Sequence, residues 1–408
     1  MIKNKIWEKV QEDHAKIIEN RRFLHSHAET GFDLKQTLAY VKQELEAMGY
    51  EPIPCGKAGL IALAGGMKPG KVFLLRADMD ALPIREEADI NFASANGNMH
   101  ACGHDMHTAM LLEAARILKA YENDINGTIK LMFQPAEEIL EGSYDMIKNG
   151  VLKNPAVDAG LMIHVMTGMP LPNGTAIVCD GGVSAPAADF FTINIQGKGC
   201  HGSMPWKGID PITAAAHIIL ALQELLAREL APMEGTALTI GSVHAGEAAN
   251  AIPDTAKLQG TLRTFDEEAR NYLKKRLVEM VSHTAAAFQA EASVTFNSGC
   301  PTLQNDADLS DCTVKYIQEL NGSHMAFTAA QLAAKASGKA SKSNGSEDFA
   351  YVSHQIPTIM LALAAGQPEE GYTYPLHHPM VKFHEDALPV GAAIYAYVAL
   401  RWLEEHLS

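Results

Sequence analysis

Long apolar runs, basic residues and paired cysteines are what this 408-residue sequence has least of. Nowhere do about eighteen apolar residues follow one another, the length a membrane-crossing helix needs. The stretch from Ile212 to Leu226 is broken by His217, Gln223 and Glu224, so no membrane span is expected. Lysine and arginine number 33 against 48 aspartates and glutamates, a formal charge of −15. That balance argues against nucleic acid or an anionic membrane held through a general electrostatic footprint, while a local basic pocket for a small substrate can coexist with it. Six cysteines, at 55, 102, 179, 200, 300 and 312, form no C-x-x-C pair and no framework-like spacing. Free thiols in a reducing compartment are expected rather than a disulfide scaffold. The opening Met1–Val10 reads as a charged amphipathic helix without the apolar core of a signal peptide. The expectation is a cytoplasmic protein.

What is present is ordinary for a globular chain, 47% hydrophobic and 20% charged, and its length exceeds what one core usually serves, so two domains are expected. Strand-like and helix-like segments alternate, which predicts an α/β fold. Helices are predicted over 3–28 and 34–48, then strands at Gly59–Ala64 and Val72–Leu75. A helix over Met106–Ala120 follows, with Asp105 as its N-cap. A strand at Thr128–Phe133, a helix at Tyr144–Asn149 and a strand ending at Ile163 complete this part. Continuous apolar strands between helices suggest a sheet covered on both faces.

Near residue 186 the pattern changes. Asp189–Gln196 alternates with period two, then come a helix (Pro211–Glu229), strands at Ala237–Val243 and Ala256–Thr264, a helix (Glu267–Phe288) and a strand (Ala292–Asn297). This β-α-β-β-α-β order is ferredoxin-like and predicts an inserted α+β domain over 186–297. The α/β pattern then resumes, with a helix near 309–320, a strand at Pro357–Leu363 and a closing helix from Glu385 to Leu407. Residues 329–345, mostly Ala, Ser, Lys and Gly, read as a solvated loop, with substrate gating as the sharper alternative.

The chemistry concentrates in His100-Ala-Cys-Gly-His-Asp-Met-His107, where Cys, His and carboxylate, the ligands of borderline divalent metals, share eight positions. Cys102 and His104, two apart on a turn, can converge on one ion. Glu137 and Glu138 follow the Thr128–Phe133 strand, His164 directly follows an apolar strand, and His377-His378 follow the Pro357–Leu363 strand. Ligands of open α/β sheets gather beyond the carboxyl ends of strands, and four separate loops deliver such residues there. Taken singly, each has a plainer reading: a core histidine, a solvated acidic loop at Glu137-Glu138, a surface charge at Arg263, a loop histidine at His201. In the Glu pair, neighbouring side chains point differently, so one can hold metal while the other faces water. Asp78 and Asp80 are candidates for orienting a ligand histidine from behind.

The strings RADMDALPI, HACGHDMHTAMLL, FQPAEE, GKGCHGSMP, NAIPD, GTLRTF, GSEDFA and LHHP occur in this order. Together the chain resembles the metal-dependent amidohydrolase branch of the aminoacylase and carboxypeptidase clan, which includes hippurate hydrolases, N-acyl-amino-acid deacylases and plant indoleacetyl-amino-acid hydrolases. The resemblance runs from about residue 20 to 390. It implies a catalytic domain over 1–185 and 298–408, with a mixed sheet covered by helices on both faces, and makes the inserted segment a lid and dimerisation domain. It implies two divalent ions, zinc or manganese with cobalt or nickel also compatible, ligated by Cys102, His104, Glu138, His164 and His377, with Cys102 bridging. His377 is favoured over His378 because it follows Leu376 as in the family pattern, and His100 and His107 recede to supporting roles.

Glu137 is implied as the general base that later protonates the leaving amine. His201 would stabilise the oxyanion, in this subunit's site or a neighbour's. Asn250 and Arg263 would hold the substrate's α-carboxylate, with Ser346 also on the substrate side. The expected activity is hydrolysis of a small N-acyl amino acid to a carboxylate and a free amino acid. Alternatives are a dipeptidase or carboxypeptidase of the same clan, or a silent conjugate-binding protein. A homodimer or higher homo-oligomer through the inserted sheet's edge is expected. One departure stands out: the Ala- and Lys-rich stretch before Gly345 is unlike the short apolar strand the family pattern would place before Ser346.

Overall fold

The computed structural model describes residues 2–231, 235–335 and 345–407. They group into two compact units, one of 2–184, 304–335 and 351–407, the other of 185–303 and 345–350.

The first unit is built on an eight-stranded mixed sheet in the order Ile53–Cys55, Gly59–Gly65, Thr128–Gln134, Val72–Asp78, Ala159–Met166, Thr358–Ala364, Ala176–Val178, Ala326–Thr328. The middle four strands are mutually parallel, so their carboxyl ends open on one side. They read as continuous apolar runs because both of their faces are covered: every residue of Val72–Asp78 is buried. Ile129, Leu131 and Phe133 join a core that also takes up the His104–Ala120 and Ala387–Glu405 helices. Lys130, between them, is wholly buried too. Its ammonium donates to the carbonyls of Val151, Lys153 and Pro155 at 2.9, 2.9 and 2.8 Å, which satisfies all three of its protons.

Several sequence expectations are corrected in detail. The opening helix is two, Ile2–Glu12 and His14–Ser26. His164 lies within a strand rather than after it, because parallel pairing with the 358–364 strand continues through His164 to Met166. Asp105 is not an N-cap. The helix starts two residues earlier than Met106, at His104, behind a left-handed Gly103, and the Asp105 carboxylate is engaged by charged donors. In the segment read as a loop, Ala329–Lys335 is helical, and 336–344 lies outside the described residues.

Glu113 of the His104–Ala120 helix is fully buried, its Oε1 without a hydrogen-bond partner and its Oε2 3.3 Å from Arg116 Nε. Burial, with the Asp13 carboxylate beside it, outweighs Arg116 and pushes the Glu113 carboxyl up to about 8. The folded state therefore binds this proton more tightly than the unfolded chain, and stability should fall as pH rises from about 4.5 to about 8. Glu113→Gln is expected to flatten that decline. It should gain about 1–3 kcal/mol at pH 8 and nothing near pH 4, as read by denaturant unfolding across pH. Parallel pH curves for the two proteins would contradict it.

The second unit carries the expected β-α-β-β-α-β order. Its four-stranded antiparallel sheet runs Ala237–Ala245, Thr255–Thr264, Ala187–Gln196, Glu291–Cys300, with the Pro211–Glu224 and Glu267–Ala287 helices on one face. Phe191, Ile193, Ile195, Leu258 and Leu262 meet Ile218, Leu222, Leu273 and Leu277 there, which explains the period-two alternation seen in the sequence. Ala237–Ala245 is an edge strand.

Candidate metal centre

Four chain segments of the first unit converge at the open ends of its parallel strands. Cys102 reaches the site on the turn before the His104–Ala120 helix. Gly103, at φ +86°, makes that turn, and a Cβ there would collide with Val165. Only glycine serves between Cys102 and His104. The Cys102 Sγ lies 3.5 Å from His164 Nε2 and 3.3 Å from His377 Nε2. His377 holds a left-handed backbone, φ +64°, which is uncommon for a side-chain-bearing residue and often found at functional sites. Its N–H donates to the Ala101 carbonyl at 3.0 Å, tying the 377 loop to the Cys102 turn. His378 turns elsewhere: its ring stacks on Tyr374 and its Nδ1 accepts the Met380 N–H.

Two donor sets share one thiol. Cys102, His104 and His164 bring ligand atoms within 4.8 Å of one another, and so do Cys102, Glu138 and His377. His104 Nε2 stands 3.9 Å from Glu137 Oε2 and 3.8 Å from Glu138 Oε1, and His377 Nε2 is 3.6 Å from Glu138 Oε1.

The histidines are set by what their other nitrogens do. His104 Nδ1 donates to the Asp80 carbonyl at 2.8 Å and His164 Nδ1 to the Val165 carbonyl at 2.8 Å, so each turns Nε2 toward the cluster. His107, by contrast, uses both nitrogens. Nδ1 lies 2.6 Å from Asp78 Oδ1, and Nε2 accepts the Val165 N–H at 2.8 Å. Both of its ring nitrogens are thus engaged within the protein. Asp80 does more than back a histidine: its Oδ1 and Oδ2 accept the N–H groups of Glu137 and Glu138 at 2.9 and 3.2 Å. One aspartate thus fixes His104 through its carbonyl and the Glu pair through its carboxylate. Asp78 accepts from Arg76 Nη1 at 2.7 Å, and Arg76 Nε donates to Gln134. The sequence reading passed over Arg76 and Gln134, although Arg76 stands in the same RADMD string as both aspartates.

The electrostatics suit a cation. Burial pushes the Cys102 thiol up, and Glu138 and Glu137 add to that. Burial pushes His164 down to about 3 and, with His104, lowers His377, which keeps both rings neutral with a lone pair to give. Burial, reinforced by Asp80 and Asp78, lifts the Glu138 carboxyl to about 7 despite His104. For His104 burial opposes charge, but Asp78, Asp80 and Cys102 raise it well above the usual histidine range. His104 Nε2 and Glu138 Oε1 are buried with no hydrogen-bond partner, a costly arrangement that a divalent ion relieves. Soft thiolate, imidazole and carboxylate form the donor chemistry of zinc-like and manganese-like ions, so these residues fit a metal centre.

The other sequence-predicted residues lie in the second unit, in two places. His201 and Asn250 come together at the short pairing of Cys200–His201 with Ala251–Ile252, where the Gly202 N–H donates to the Asn250 carbonyl at 2.7 Å. Both are exposed, and His201 Nδ1 is 2.8 Å from Ser203 Oγ. Arg263 and Ser346 form the second pair: Arg263 Nη1 donates to Ser346 Oγ at 2.7 Å. Arg263 is half-buried, not a free surface charge, with its guanidinium 5.1 Å from the Phe190 ring centroid.

The model of peptidase family M20/M25/M40 matches residues 74–401. The chain is 37% identical to the IAA-amino acid hydrolase ILR1-like 2 of Arabidopsis thaliana, over 96% of this chain and 86% of that protein. It is 36% identical to an N-acetylcysteine deacetylase of Bacillus subtilis, over 96% and 98% of the two chains. Among solved structures, the Bacillus subtilis YXEP protein, a dinuclear metal binding peptidase of this family, superposes with a TM-score of 0.76 at 33% identity, covering 97% of this chain and 99% of that one.

Proposed function

The chain belongs to peptidase family M20/M25/M40, and from that membership we propose that it hydrolyses the amide bond of N-acyl amino acids, releasing a carboxylate and a free amino acid. The observation that carries this reading is the position of Cys102, its thiol common to two donor sets with the Glu137 carboxylate beside them. Cys102, His104 and His164 would hold one ion and Cys102, Glu138 and His377 the other. When bound, such ions supply Lewis acidity, polarising the amide carbonyl and easing loss of a proton from water.

The chain's own groups do the rest. Glu137 takes a proton from the attacking water and returns it to the amide nitrogen as the C–N bond breaks, so water's oxygen goes to the acyl carbon and its hydrogen to the amine. Asp80 sets where that carboxylate stands, through the backbone of Glu137 and Glu138. His201 donates to the developing oxyanion, and Asn250, Arg263 and Ser346 take the amino acid's carboxylate. The Arg263 guanidinium suits that partner.

Self-association is part of the proposal. Among the described residues one edge of Ala237–Ala245 pairs with no other strand, and Val243, Ile212, Leu220 (67% exposed) and Trp206 (74% exposed) are exposed apolar residues of the same unit, which supports docking of a second copy there. His201 of the partner subunit could then serve this subunit's site. Among the described residues no helix is long and apolar enough to cross a membrane. No disulfide joins any of the six cysteines, which supports residence in a reducing compartment.

A substrate panel tests the reading. Amine release is expected from N-acetyl and N-benzoyl amino acids, at rates well above those from dipeptides with a free amino group. Turnover confined to the dipeptides would reassign the protein to peptide cleavage, and tight binding without amine release would make it a binding protein.

A further inference from the structure

The first turn of a helix is its least secured part, because its N–H groups have no intrahelical partners and its end frays. In the His104–Ala120 helix this turn carries His104, and Gly103 before it offers no side chain as a cap. The restraint comes from the N-terminal part of the chain. Asp105, fully buried, accepts from Arg21 Nε at 3.0 Å, and the same Oδ2 lies 2.9 Å from His25 Nδ1. The opposite nitrogen of that ring, Nε2, is 3.0 and 3.2 Å from the two oxygens of Glu86. Ionised carboxylates only accept, so a ring facing one on each nitrogen is satisfied as an imidazolium that donates to both.

Arg21 also reaches Glu385, 3.1 Å from Nη1, and Glu86 accepts the Ser94 N–H at 2.7 Å. The titratable and charged groups around His25 are Asp105 on the metal helix, Glu86 on the 79–103 connection, Arg21 on its own helix and His100, whose ring centroid is 6.2 Å away. His25 and Arg21 are each about 2% exposed. Charges buried this deeply are costly unless paired, and neither water activation nor metal ligation accounts for them.

We propose that Arg21 and His25 are positioning residues of the metal centre, acting through Asp105 to hold the first turn of the helix that presents His104. The inference rests on the metal-binding reading of Cys102 and His104. Burial opposes the charge on His25, but Asp105 and Glu86 outweigh it and raise its pKa. The clamp is therefore complete at low pH and loses one of its two hydrogen bonds as pH rises through that raised value.

The test is the dissociation constant for Mn²⁺ or Zn²⁺, measured by chelator competition from pH 6 to 9 on the full-length wild type and His25→Gln. Proton competition at the ligands themselves cancels in the ratio of the two. The variant is expected to bind metal about 10- to 100-fold more weakly at pH 6, with the ratio shrinking toward one as wild-type His25 loses its charge. A ratio of one throughout, or a loss that does not change with pH, as a mere packing role would give, overturns the proposal. If His25→Gln does not fold, Glu86→Gln leaves both Asp105 contacts in place and removes one carboxylate charge. It should move the pH at which affinity weakens downward, and an unmoved profile overturns the proposal. A wild-type protein that binds no metal would overturn the metal reading and this inference with it, whereas equal binding by wild type and variant would overturn the inference alone.

Discussion

Replacing Glu137 with glutamine is expected to reduce turnover by about 10²- to 10⁴-fold, the usual range for loss of a general acid–base group, while metal content stays at the wild-type level. The two outcomes separate because Glu137 stands outside both donor sets that share Cys102. Its backbone is held independently by Asp80, so an isosteric amide leaves the loop in place and removes only the ability to take up a proton. Metal content by elemental analysis, set against amine release from an N-acyl amino acid, checks both halves. A Glu137→Gln protein with full metal and full activity would remove Glu137 from the mechanism.

Replacing Cys102 has the second large effect, and a different one. Because its thiol belongs to both donor sets, Cys102→Ala should weaken both ions together and bring activity to background. His164→Ala, which touches only one set, should spare the other ion. The lost ligand also costs stability in the metal-loaded state, since an ion that binds only the folded chain stabilises it by mass action. Cys102→Ala with both ions still bound at wild-type affinity would break the shared-thiol account.

How legible this centre was depended on distance along the chain. The parallel strands were readable because burial on both faces leaves continuous apolar runs, and the inserted domain because burial on one face leaves an alternating one. Lys130 shows the limit: nothing local announces that a lysine in the middle of Thr128–Gln134 will be fully buried, since its partners are carbonyls of a loop 21 to 25 residues away. His164 looked like the end of a strand because its polarity interrupts an apolar run, whereas backbone pairing is indifferent to that and carries on.

Asp105 is instructive in the same way. Its place near a helix start suggested a cap, the usual use of aspartate there, but an arginine and a histidine some 80 residues earlier offer charged donors, and charge-assisted hydrogen bonds outcompete a backbone N–H. The double use of Asp80 joins residues 57 and 58 positions apart and lies beyond any periodicity. Motifs named the candidate residues, and only the fold shows what each of them touches.

Two ions sharing Cys102 would serve amide hydrolysis, so the most direct measurement is a titration of the metal-free protein with Mn²⁺ or Zn²⁺ that follows bound metal and amine release together. Two equivalents per chain, with amine release from an N-acyl amino acid appearing as the ions bind and vanishing on chelation, is the predicted result. Saturation at one equivalent, or amine release that chelation leaves untouched, would contradict it.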